Sequence, residues 1–507
     1  MKRPEKIIIS IRDFVASPRF FVGIVALFII QAVWIAISSN YPMAFDEDFH
    51  MGLIKLYSEH LLPFWSSHPA SGDAYGALTR DPSYLYHYIL GIVYLPIKAI
   101  IQSFSAQIII FRFINIGLFA FGLYVFRKLL LASKASSVIV NLSLFLFVLI
   151  PAVPLLGAQI NYDNLIIPIT AYALLLGLQF VQSLKKKSFD FMKLLKLVLV
   201  CLFGSLVKYA FLPIFLAIVV FILFYSLVQY RDINKLKESI SLSWKMAKRP
   251  IKYFLVGLIL LFSFLAVERY GLNVAKYHKP VPDCGQVLSY DNCKAYGPWI
   301  RDYNFSKSKQ AHVDTSPLAY STRWTYGMWL RSYFSVGGKK SDYQSRGPLY
   351  LPAISAAVFI IAGFMALLLK YKQIFRRYNS YAILLFTLAI VFTVAILWFT
   401  QYQFFIKTTQ PVAINGRYLF PVAPLIICLI MLAYNELIKN QNIKIILASV
   451  LIVCSIWGGG AMTYILRSQP SWYWSNSPTN SVNEYIKRNV GPVIPGNNNQ
   501  ILFLRKV

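Results

Sequence analysis

The segment "FDEDFH", residues 45–50, places Asp46, Glu47 and Asp48 in succession, with His50 two residues further on. A carboxylate beside an acceptor hydroxyl can serve as a general base, and neighbouring carboxylates can hold a hard divalent cation. If a helix begins at about Asp46, residues three and four apart share a face, bringing Asp46 and Glu47 beside His50. The same residues also describe an ordinary helix start, with Asp46 as N-cap and Glu47 and Asp48 favoured by the helix dipole. The H-E-x-x-H pattern of zinc proteases is absent, and no other histidine has metal-ligand spacing to His50, so a catalytic zinc is not indicated.

Four further stretches carry polar groups beside apolar runs. "TRDPSYLYHY" holds Arg80, Asp81, Tyr84 and His87, which could bind a ligand or form a charged turn ended by Pro82. "QINYDNLIIP" offers Asp163 as a site carboxylate, or Asn161 or Asp163 as a helix cap. "GSLVKYAFLP" sets Lys208 between two apolar spans, where it could snorkel to the surface or bind an anionic lipid phosphate. "AINGRYLFPVAP" puts Arg417 and Tyr418 just ahead of a proline-marked helix; the guanidinium suits either bidentate phosphate contact or interfacial anchoring.

The elements that must position these groups are membrane helices. Of 507 residues, 57% are hydrophobic and only 14% charged, against roughly 25% in a soluble chain. The net charge of +30 would indicate a nucleic-acid partner in a soluble protein. Here most Lys and Arg fall in short connections between apolar runs, which is the positive-inside pattern, so no nucleic acid is expected. The first span follows "MKRPEKIIISIRDF" and lacks a small-residue cleavage site, so it reads as a retained helix.

Twelve apolar stretches can be drawn, near 20–39, 84–104, 107–126, 138–156, 164–183, 193–209, 210–229, 251–267, 350–369, 381–400, 417–436 and 444–464. Lys2 and Arg3 place the N-terminus in the cytoplasm and "FDEDFH" outside. If 84–104 crossed back, Arg127, Lys128, Lys134 and the lysines at 185–187 would all be outside. Keeping 84–104 on the outer side as an interfacial or re-entrant helix returns every one of them to the cytoplasm, and its tyrosines, histidine, proline and lysine suit that setting.

The expectation is therefore an all-α polytopic membrane protein with about eleven transmembrane helices. It has a cytoplasmic segment 1–18, a membrane domain 19–464 and an external tail 465–507. External loops cover 40–106 and 268–349; the second carries twelve Lys or Arg but is long enough to translocate regardless, and its turn-rich composition indicates irregular ordered structure. Cys201, Cys428 and Cys454 lie in spans as packing residues, whereas Cys284 and Cys293, in "PDCGQVLSYDNC", are spaced to close a disulfide in an oxidising compartment. No internal repeat is evident, which disfavours transporters built from duplicated halves.

The motifs "DEDFH", "NYDN", "SLVKYAFLP" and "NGRYLFPVAP", in this order, resemble the GT-C membrane glycosyltransferases, such as protein O-mannosyltransferases and aminoarabinose transferases. They look most like a bacterial membrane family whose first external loop carries D-E-x-x-H. The resemblance implies a GT-C fold with interfacial helices in that loop and a polyprenyl-phosphate-linked sugar donor. It implies Asp46 as base with Glu47 as acidic neighbour, His50 as a supporting or metal-adjacent group, and Lys208 and Arg417 on the lipid phosphate. Arg80 stands where the aminoarabinose enzymes have a lysine before proline, and the extra soluble domain of the mannosyltransferases is absent.

The expected activity is sugar transfer at the extracytoplasmic face of the plasma membrane to a glycan, lipid or protein acceptor, with inversion. The cofactor is left open between a magnesium or manganese ion on Asp46, Glu47 and Asp48 and none. The rival readings are a transporter or flippase of a lipid-linked or anionic substrate, a lipid-sugar polymerase or ligase, and a non-catalytic assembly factor. A transporter would place ionisable groups near mid-helix.

Overall fold

Long uncharged runs fold as helices because lipid offers no partner to backbone N–H and C=O groups, and a helix satisfies them internally. A computed structural model of the chain describes residues 3–494 other than 61, 66, 187, 230–232, 247–248, 311, 334–348 and 476. Among them there is no strand, only an isolated bridge between Ser39 and Tyr473. Lys2, Lys187 and residues 495–507 of the expected tail lie outside the described residues.

Eight helices among the described residues are long and apolar enough to cross a membrane: Pro18–Ser38, Phe104–Leu131, Asp163–Lys185, Tyr209–Gln229, Arg249–Tyr277, Tyr350–Arg377, Ser380–Thr408 and Gln441–Arg467. Three shorter apolar helices accompany them: Leu85–Ile100, Ser137–Val148 and Ala423–Leu437. Polar residues in the connections start several helices. Ser17 accepts a hydrogen bond from the Phe20 amide at 3.2 Å, and Ser103, Ser136 and Asp190 act alike at the next connections.

Several stretches differ in detail from their expected bounds. The stretch 138–156 is two helices, Ser137–Val148 and Ala152–Gly157, because Pro151 and Pro154 interrupt the ladder of amide donors. The stretch 84–104 forms the 16-residue helix Leu85–Ile100, with Pro96 and Lys98 near its end. The helix expected from 417 begins at Ala423, after a single 3-10 turn at Gly416–Leu419. The described part of 268–349 is mostly helical rather than irregular, with Gly297–Lys307 and Pro317–Tyr333 as its longest helices. Cys284 and Cys293 are joined by a disulfide there.

The helix Asp163–Lys185 is the centre of the bundle, with 83% of its most apolar window buried, against 17% for Arg249–Tyr277 at the periphery. It packs on Phe104–Leu131, Phe191–Val207 and Leu212–Gln229. Gly122 permits the closest of these approaches, since a Cβ there would lie 2.6 Å from Ile167 and 3.1 Å from the Pro168 nitrogen. The tail returns to the first span: the Asn40 amide donates to the Trp472 carbonyl at 2.8 Å, and Trp34 Nε1 donates to Asn483 at 2.9 Å. That contact holds the point where the chain leaves Pro18–Ser38 and enters the acidic segment.

Candidate functional site

Glu47 begins the helix Glu47–Ser58 and is fully buried. Its carboxylate takes Nε and Nη2 of Arg112 at 2.9 and 2.8 Å and also accepts the Met43 and Ile160 amides at 2.8 and 3.2 Å. Arg112 gives its remaining donors to the carbonyls of Ala36 and Ser39, at 2.7 and 2.6 Å, and Asn40, at 2.9 Å. All five N–H groups of a guanidinium are thereby used. Arg112 escapes a motif-based reading because it sits within the apolar run 107–126, yet an arginine inside a span is itself the signal that could have found it.

Asp46 occupies the N-cap position but makes no side-chain cap hydrogen bond. Phe45 and Asp46 both have left-handed backbone, φ 60° and 64°, a conformation that non-glycine residues adopt only when their surroundings impose it. Here Asn161 Nδ2 and Arg417 Nη1 donate to the Phe45 carbonyl at 3.0 and 3.2 Å. The turn carries the Asp46 side chain outward, 46% exposed, with Oδ2 3.5 Å from Arg417 Nη2. Asp46 therefore leaves the face it was expected to share with His50, whereas Glu47 and His50, three residues apart in one helix, are both buried.

Arg417 is buried, with its guanidinium 4.6 Å over the Phe45 ring and 5.2 Å over Tyr418. Its Nε is buried without a hydrogen-bond partner. Lys208 ends the helix Phe191–Val207 in extended backbone and forms a buried ion pair with Asp163, the first residue of the central helix. The ammonium also lies over Tyr162 at 4.4 Å and Tyr418 at 5.2 Å. Asp163 Oδ2 is buried with no hydrogen-bond partner. Tyr418 thus lies within 5.2 Å of two buried cations, and residues 46, 163, 208 and 417, distant in sequence, meet at one end of the bundle.

Beneath them His50 Nδ1 and His87 Nε2 share a hydrogen bond of 2.9 Å, their rings stacked at 5.2 Å. Tyr162 contacts His50 edge-on at 4.5 Å. Burial lowers the His50 pKa, helped by the charges of His87, Arg417 and Lys208; burial holds His87 down to about 3. Both imidazoles are therefore neutral at pH 7. Folding supplies His50 with the neighbouring histidine that its sequence spacing did not.

Of the "TRDPSYLYHY" residues, Tyr86 meets the His50 ring edge-on at 6.3 Å, whereas Arg80, Asp81 and Tyr84 turn elsewhere. Arg80 forms an ion pair with Glu268, Asp81 accepts the Ser83 amide at 2.8 Å, and Tyr84 lies 4.6 Å under the Arg269 guanidinium. Arg80, expected on substrate, is committed to Glu268, a partner far along the chain. Of the possible cation ligands Asp46, Glu47 and Asp48, Glu47 is held by Arg112, and among the described residues no three His, Cys, Asp or Glu side chains converge as metal ligands.

Four residues beyond Lys208 an apolar groove opens, lined by Leu212, Pro213, Phe215, Leu216, Val219 and Ile396. No protein-family model matches the chain, and no curated protein matches it.

Proposed function

We propose that this protein is an integral-membrane glycosyltransferase of GT-C architecture. In this reading it has eleven crossings and moves a sugar from a polyprenyl-phosphate donor to an envelope acceptor at the extracytoplasmic face of the plasma membrane. The observation that carries the reading is the meeting of Lys208 and Arg417 at Tyr418, each 5.2 Å from its ring, with Arg417 Nε unpartnered and Asp46 half exposed beside it. A lipid phosphate supplies the acceptor oxygen that Arg417 Nε lacks and a charge partner for both cations, and the apolar groove past Lys208 suits a hydrocarbon tail.

Donor binding then changes the partner of Arg417. The phosphate takes the guanidinium, and Asp46, released from its 3.5 Å contact, accepts the proton of the acceptor hydroxyl. The acceptor oxygen forms its bond to the anomeric carbon as the bond from that carbon to the phosphate oxygen breaks. The electron pair leaves with the phosphate, whose growing charge Lys208 and Arg417 stabilise. Direct attack with a single base inverts the anomeric configuration, and no second carboxylate is required. Glu47, with all its contacts made, positions the Asp46 turn and takes no proton.

The test is to supply the purified protein with polyprenyl-phosphate sugars and measure bound lipid and released polyprenyl phosphate. Release that depends on acceptor supports the reading; no binding to any such lipid overturns it. Topology is tested separately by Ser105→Cys, which should label from the outer side only.

A further inference from the structure

The disulfide-bridged segment 284–303 sits directly over the acidic first loop. Asn292 Nδ2 donates to both carboxylate oxygens of Asp73 at 3.1 Å, and His68 Nε2 meets the same carboxylate at 3.0 Å. Tyr296 packs 6.1 Å from the Phe49 ring and lies across Gly76, whose φ of 68° and lack of a side chain both serve the contact: a Cβ would fall 2.6 Å from the Tyr296 ring. Phe49 in turn meets the His50 ring edge-on at 5.6 Å, so Tyr296 reaches the histidine pair through one intervening ring.

Beyond Tyr296 the same segment carries three rings in mutual contact. Trp299 and Tyr303 are stacked at 5.2 Å and 22°, and Tyr290 meets them edge-on at 5.7 and 5.3 Å. Tyr290 is 49% exposed, and both other rings are partly exposed. The ion pairs Lys294–Asp291 at 2.7 Å and Arg301–Asp302 at 2.6 Å border the patch. The cystine fixes the loop that bears Tyr290.

We propose that Tyr290, Trp299 and Tyr303 form a docking platform for a saccharide chain, so that the acceptor of the transfer is a glycan. This rests on the transferase reading given above. The C–H groups on one face of a pyranose, made slightly positive by the ring oxygens, complement the negative face of an aromatic ring. The bordering carboxylates and cations supply acceptors and donors for sugar hydroxyls. Tyr296 lies on the same segment and packs against Phe49 beside His50, so the segment that carries the platform also covers the acidic loop.

The platform is tested without donor, so its failure and that of the transferase reading are separable. Calorimetric titration of the purified full chain with cello-, malto- and chito-oligosaccharides should show binding to at least one series. Trp299→Ala should weaken that binding about tenfold while leaving polyprenyl-phosphate binding unchanged, and Trp299→Phe should retain most of it. If Trp299→Ala does not fold, Tyr290→Ser at the exposed edge should show the same loss. Three results would overturn the proposal: no saccharide bound by the wild type, equal affinity in the ring-deleted variant, or fluorescence quenching by brominated lipid that disappears in Trp299→Phe.

Discussion

Asp46 and Glu47 are consecutive acids that each face an arginine, and they differ in almost every physical respect. Glu47 and Arg112 are both inaccessible to solvent, and every donor of the guanidinium is used. Asp46 is half exposed, its contact with Arg417 is 3.5 Å long, and Arg417 keeps a buried nitrogen without a partner. Moving charges out of water is costly and is offset only when the partners are complete. The first pair is complete and can only hold structure; the second has capacity left over, and capacity left over is what a ligand can use.

The largest expected effect breaks the closed pair. Glu47→Ala would strand the Arg112 charge and two backbone amides in the interior, at a cost of about 3–5 kcal/mol. Loss of monodisperse protein in detergent is the expected result. A variant as stable as wild type would show that the pair does not hold the first loop.

Changes on the open side should affect binding rather than folding. Lys208→Met removes a charge-assisted contact worth roughly 1.5–3 kcal/mol, so affinity for a polyprenyl phosphate should fall about 10- to 100-fold. The variant also strands Asp163, and pairing it with Asp163→Asn should recover stability without recovering affinity. Arg417→Lys keeps the charge but loses the planar fork, and about tenfold weaker lipid-phosphate binding is expected in a flotation or fluorescence assay. Equal affinity there would place the phosphate elsewhere.

Much of the open side was legible in the sequence because its residues interrupt apolar runs at their ends, where Asp163, Lys208 and Arg417 stand out. The closed side was not. Arg112 lies within a run whose composition is dominated by Phe and Ile, and its partner is Glu47, which helical spacing had assigned to a shared face with Asp46. That assignment failed because the positive φ of Asp46 turns it off the helix before the helical period begins. The His50–His87 pair and the Arg80–Glu268 pair join residues far apart in sequence, and no local period reports such contacts. Among the helices, the long spans follow from hydropathy alone, whereas the break at 149–151 depends on prolines that an average over the stretch conceals.

The smallest expected effect belongs to the histidines beneath both pairs. The unfolded chain takes up their protons near pH 6.5, whereas the folded chain resists until about pH 3 at His87. Their stabilising contribution is thus whole above pH 6.5 and is lost as pH falls toward the folded value. Thermal unfolding of His87→Gln should show a flatter decline than wild type between pH 6.5 and 4. An identical decline would mean that the pair is hydrated.

The most direct measurement sets Asp46→Asn beside wild type in a transfer assay, with donor binding measured on the same preparations. Asp46→Asn should fold, bind polyprenyl-phosphate sugar and transfer it at least about a hundredfold more slowly, the scale of a lost general base. Transfer at the wild-type rate by a folded Asp46→Asn protein would contradict the assignment of Asp46 as the base.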